Sequence, residues 1–80
     1  MLNHIVIMGR MTRDPELRKT PNGTSAASFT LAVDRDLAPK GGEKETDFID
    51  CVAWAGTADF VSGYFFKGSM AVVDGRLPLA

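Results

Sequence analysis

The stretch Thr46–Trp54, T-D-F-I-D-C-V-A-W, constrains this chain more than any other. As a strand it alternates faces, so Phe48, Asp50, Val52 and Trp54 share one side and Ile49, Cys51 and Ala53 the other. The second set is small and uniformly apolar, as a face packed on a core should be. The first carries two aromatics separated by an acid and an aliphatic residue. Rings on the open face of a strand make a platform for flat ligands such as nucleobases. Taken alone, the pattern fits a second buried layer better, because aromatics contribute chiefly to cores and interfaces.

The 80 residues bound the chain at one small domain with a thin core. An apolar fraction of 45% with 24% charged is that of a globular chain, not a disordered one. The net charge of −1 advertises no nucleic-acid partner. Its distribution is uneven: Arg10, Arg13, Arg18 and Lys19 face only Asp14 and Glu16 in the first quarter, while the segment from Asp34 to Asp59 is acidic. That asymmetry makes either a local basic patch or an ordinary scatter of solvated charge. The single cysteine rules out an intramolecular disulfide, and its place opposite Phe48 and Trp54 points to a buried thiol. Met1–Met8 lacks the basic leader and long apolar run of a signal peptide, and no stretch approaches the roughly 20 apolar residues of a membrane span. A cytoplasmic protein is expected.

In chain order, Leu2–Met8 reads as a strand apolar on both faces, one for the core and one for a partner chain. Gly9 is expected to bend the chain toward the Asp14-Pro15 turn. Glu16–Thr20 is a short polar extended piece closed by Pro21-Asn22-Gly23. Ser25–Val33 follows as a strand with Ala27, Phe29, Leu31 and Val33 inward and the small Ala26, Ser28, Thr30 and Ala32 outward. The small set either leaves room for a ligand or marks a plain solvent face. Asp34–Glu45, centred on Gly41-Gly42, links it to Thr46–Trp54 as a long hairpin. A helix is expected from an N-cap at Thr57, with Asp59 in its first turn, Lys67 in its last and Gly68 at C′. Its stripe of Phe60, Val61, Tyr64 and Phe65 should plug the end of a sheet. Ser69–Leu77 is the last strand. Three meandering strands, a helix and one strand form the front of an OB-fold, a Greek-key barrel of five strands, here without sequence for its last one.

The segments N-H-I-V-I-M-G-R-M-T-R-D-P-E-L-R, P-N-G, S-F-T-L-A-V, E-T-D-F-I-D-C-V-A-W and K-G-S-M-A-V-V-D-G-R-L, in that order, resemble the bacterial single-stranded DNA-binding protein family in its Gram-positive-like form. The resemblance runs from Met1 to Leu77. It implies a mainly β fold with one capping helix, and sequence-nonspecific binding of single-stranded DNA during replication, recombination and repair. It places base-stacking aromatics at Phe48 and Trp54, and DNA-path cations at Arg10, Arg18 and Lys67, with Arg35 and Lys40 in the gripping hairpin. It implies a homodimer or homotetramer pairing through Asn3, His4, Ile5, Val6, Ile7 and Met8.

Departures from the family pattern temper this. Leu37 stands where a stacking aromatic is usual, Lys19 replaces a common tyrosine, and Ala55-Gly56 replaces a basic pair. The last hairpin and the acidic C-terminal tail that recruits repair proteins have no counterpart, so tail-mediated partners are not expected. The competing expectation is a remnant OB-fold that oligomerises through its sheet edges and binds DNA weakly or not at all. A natural short paralogue, a frameshifted product and a trimmed fragment fit this C-terminus alike.

An enzyme is not expected. A Cys51 nucleophile with His4 as base has its thiol on the core side of the strand. One His and one Cys show no metal-ligand spacing, and Gly41-Gly42 lacks the context of a phosphate-binding loop. Neither cofactor nor metal is implied.

Overall fold

The computed structural model describes residues 2–35 and 45–77. Its elements are β1 (Ile5–Met11), β2 (Glu16–Lys19), β3 (Ser25–Asp34), β4 (Thr46–Trp54), α1 (Ala55–Tyr64) and β5 (Met70–Gly75). The Leu37, Lys40 and Gly41-Gly42 expectations lie outside the described residues.

β3 is the axis of the sheet. β4 runs antiparallel along one edge for its full length, from Ala26↔Trp54 to Asp34↔Thr46. The other edge is shared, first by β2 at Ser25–Ser28 and then by the end of β1, where Leu31 and Ala32 face Met11 and Arg10. β1 then leaves β3 and pairs with β5 from Arg10↔Met70 to Ile5↔Gly75. The result is an open, five-stranded antiparallel sheet in the order β2-β3-β1-β5, with β4 branching from β3. It is the expected OB-fold arrangement, left open, with one helix at its end. The polar piece Glu16–Lys19 supplies the additional strand. Among the described residues β4 pairs only with β3 and β5 only with β1.

The inward residues of β3 behave as their alternation requires. Ala27, Phe29 and Leu31 join Met11, Ala53, Ala58, Val61 and Ala71 in the buried cluster, with Ile7, Val33, Cys51, Phe65 and Val73 packed against it. Four members of that buried cluster are alanines, so the core is thin in volume as well as in number.

Two local expectations are refined. Gly9 lies inside β1, which continues through it to Met11, at the point where the strand's partner changes from β5 to β3. A Cβ there would stand 2.5 Å from the Ala32 carbonyl oxygen, so glycine permits the close approach of β1 to β3. The helix begins at Ala55, not after Thr57, and ends at Tyr64. Trp54 occupies the N-cap position without a side-chain cap, and Ala55 at φ 54° turns the strand directly into the helix. That early start directs Ala58 and Val61 at the sheet. Phe60 and Tyr64 stay outside at 55% and 72% exposure, packed tilted against each other with centroids 4.9 Å apart. Of the expected plug, only Val61 and Phe65 pack on the core. Asp59 and Lys67 fall outside the first and last turns. Gly68 is left-handed as expected of a C′ glycine (φ 91°), but in the turn leading to β5.

Candidate functional site

The β3–β4 ladder puts opposed residues on a common face, and its register builds the site row by row. Trp54 faces Ala26, which faces Arg18 of β2. Val52 faces Ser28, which faces Glu16. Asp50 faces Thr30. Phe48 faces Ala32, which faces Arg10 of β1. The outward Ser28, Thr30 and Ala32 of β3 are therefore the low floor of a shallow trough, with Ala26 fully buried at its Trp54 end. Phe48 stands above it at 69% exposure and Trp54 at 56%. The alternative of a second buried layer is excluded within the chain, since both rings are open to solvent.

The expected cations divide. Arg10 and Arg18 lie in the rows of Phe48 and Trp54, both exposed, with Arg10 Nη1 donating to the Gly68 carbonyl at 3.1 Å. Lys67 precedes Gly68 and so lies at the Arg10 end of the face, its backbone N–H held by Asp14 Oδ1 at 2.8 Å. Arg35 is not brought to the rings. It continues the side of β3 that carries Val33, opposite to Phe48, and its guanidinium is bound to Glu45 at 2.6 Å and to both Asp47 oxygens at 3.0 and 3.1 Å. That hydrogen-bonded pairing holds the Asp47 carboxyl below its ordinary range and fixes the base of the hairpin. Lys40 lies outside the described residues.

Two features of the trough were missed in the sequence. Thr20, Pro21, Asn22 and Thr24 stand beside Trp54 around an open depression of about 500 Å³. The Pro-Asn-Gly signature gave the turn, with Gly23 at φ 86°. Only the β2–β3 register places that turn next to the indole. A second depression, of about 270 Å³, lies among Arg13, Glu16, Arg18, Ser28, Thr30 and Asp50. Arg13 thereby joins the face, and Thr30 Oγ1 donates to Asp50 Oδ1 at 2.8 Å.

On the opposite side Cys51 is half-buried, and burial together with the neighbouring Asp50 charge pushes its thiol pKa up, away from nucleophilic use. His4 is turned to a different partner, Asp74 on β5, with Nε2 and Oδ1 2.5 Å apart. Among the described residues no cluster of potential ligands could hold a metal ion, and no helix is long and apolar enough to cross a membrane.

At the start of β1, Asn3 clasps Leu77 in both directions, Nδ2 to the carbonyl at 2.7 Å and Oδ1 from the N–H at 2.9 Å. Ile5 and Ile7 point inward, whereas Val6 and Met8 are exposed at 58% and 59% beside Val72 of β5. Because β3 reaches only Arg10 and Met11, the edge of Ile5–Gly9 away from β5 has no strand partner among the described residues.

Comparison with known proteins bears on this arrangement. Residues 2–79 match the family model of the single-strand binding protein family. The chain is 57% identical over 77 residues to a single-stranded DNA-binding protein of Halalkalibacterium halodurans, 56% identical to single-stranded DNA-binding protein A of Bacillus subtilis and 56% identical to single-stranded DNA-binding protein 1 of Staphylococcus aureus. Each alignment takes in 96% of this chain but 45–46% of the relative. The chain thus spans about half the length of the curated relatives it matches.

Proposed function

The chain belongs to the single-strand binding protein family, and from that premise we propose that it binds single-stranded DNA across the open face of β3 and β4. Bases stack on Phe48 and Trp54, and phosphates are held by Arg10 and Arg18 with Lys67 at the Arg10 end. The observation that carries this reading is the exposure of two rings on one strand face, above a floor of alanine, serine and threonine. Stacking of this kind tolerates every base, because each has a π-face. The proposal extends to a cytoplasmic role in replication, recombination and repair. No catalytic step is assigned: the raised thiol of Cys51 and the pairing of His4 with Asp74 leave no nucleophile and base together.

Self-association through β1 is part of the proposal. The unpartnered edge of Ile5–Gly9 and the exposed Val6, Met8 and Val72 support a second copy pairing there. Light scattering at low micromolar concentration is expected to give a dimer or larger, and a well-folded monomer would remove this part.

Trp54 is the only tryptophan, so its fluorescence reports from the proposed site itself. Oligothymidylate is expected to quench it saturably, with affinity falling as salt rises by a log–log slope of roughly 0.7 per phosphate neutralised. An unquenched indole at low salt would reject the DNA reading in favour of a fold that only oligomerises.

A further inference from the structure

One group on the open face is not accounted for by rings and cations. Asp50 points the same way as Phe48 and Trp54 and is exposed between them. Among the described residues it makes no ion pair, although Arg13 and Arg18 line the same depression. A negative charge here repels phosphate and works against backbone binding. A surface that only tracked phosphates would gain nothing from it.

A carboxylate accepts hydrogen bonds and donates none, and the Thr30 hydroxyl occupies one of its lone pairs while fixing its orientation. The remaining acceptor positions suit donors on a base edge. Strand residues two apart on one face are separated by roughly 7 Å, so a base lying on the Phe48 ring can reach Asp50 with its polar edge. Guanine offers N1–H and N2–H side by side, matching two oxygens of one carboxylate. Thymine offers a single N3–H between two carbonyl oxygens, which a carboxylate repels.

We propose that Asp50, oriented by Thr30, is a base-selecting residue that favours guanine over thymine at the position stacked on Phe48. This rests on the open face being the DNA surface. It adds a modest preference to binding that otherwise accepts any sequence.

The test compares a short oligothymidylate with the same oligomer carrying isolated guanines, too far apart to associate with one another. The full chain is expected to bind the guanine-containing probe about fivefold more tightly, the lower end of discrimination by a two-bond contact. In Asp50→Asn that preference is lost, and affinity for oligothymidylate rises because a repulsive charge has gone. The melting temperature stays unchanged, since the asparagine carbonyl still accepts from Thr30. Thr30→Val keeps the charge but frees the carboxylate, so the preference shrinks while oligothymidylate binding does not improve. Equal affinity of the unaltered chain for both probes, or an equal loss for both in Asp50→Asn, overturns the assignment and leaves the DNA reading standing. Failure of both probes to bind at low salt overturns the two together.

Discussion

The two faces of the β3–β4 ladder share one backbone and differ in everything else. On one, Ala27, Phe29 and Leu31 meet Ile49, Cys51 and Ala53 beneath the helix, and Leu31 is fully buried. On the other, Ala26, Ser28, Thr30 and Ala32 lie low beside Phe48, Asp50, Val52 and Trp54. The large side chains have changed strands: β3 supplies bulk to the core, and β4 supplies bulk to the surface. A sheet arranged this way stabilises itself with one face while keeping rings available on the other. The difference also explains why exposed aromatics are not equivalent. Phe60 and Tyr64 on the helix are about as open as Trp54 and Phe48, but they pack tilted against each other and have no ladder of small residues beside them.

If the faces divide the work, changes on each should separate stability from binding. The largest effect is expected from Leu31→Ala, which removes the most buried large side chain and should cost about 2–5 kcal/mol of stability. Denaturant titration measures this, and DNA affinity per folded molecule should stay unchanged. Trp54→Ala should do the reverse, losing about 1–3 kcal/mol of binding, the range known for bases stacked by this class of protein. Its melting temperature should move little, and a collapse of folding without a change in corrected affinity would make Trp54 a core residue after all. Ala55→Gly probes the junction between strand and helix. Relief of a left-handed non-glycine residue should raise stability by about 1 kcal/mol in the same titration, with binding unaltered. The smallest effect is that of Arg18→Gln, which should lower the salt slope of binding by about one phosphate contact for all sequences alike.

What was legible in the sequence follows the same division. Period-2 alternation fixed the bounds of β4, both of its faces and the inward set of β3, because burial on one side of a strand leaves a direct mark on residue type. The helix was harder to place. Thr57, Asp59 and Lys67 are good local signals, but the chain turns at Ala55 instead, and the tertiary fit of Ala58 and Val61 overrides the cap. At Gly9 the sequence offered the glycine but not its second reason, the close approach to the Ala32 carbonyl, which depends on knowing the neighbouring strand. Arg35 was grouped with the DNA-path cations by resemblance, while its ties to Glu45 and Asp47 depend on the far arm of the hairpin. The turn beside Trp54 and the Thr30–Asp50 contact emerge only from cross-strand register, which no single strand encodes.

The central claim is that DNA lies on one face of the ladder, and side-chain nuclear magnetic resonance during an oligothymidylate titration tests it most directly. The Trp54 indole, the Phe48 ring and the Ala32 methyl group should shift together. The Leu31 and Ala27 methyl groups and the Phe60 and Tyr64 rings should hold still. Shifts concentrated on the helix rings, with the Trp54 indole unmoved, would contradict the account.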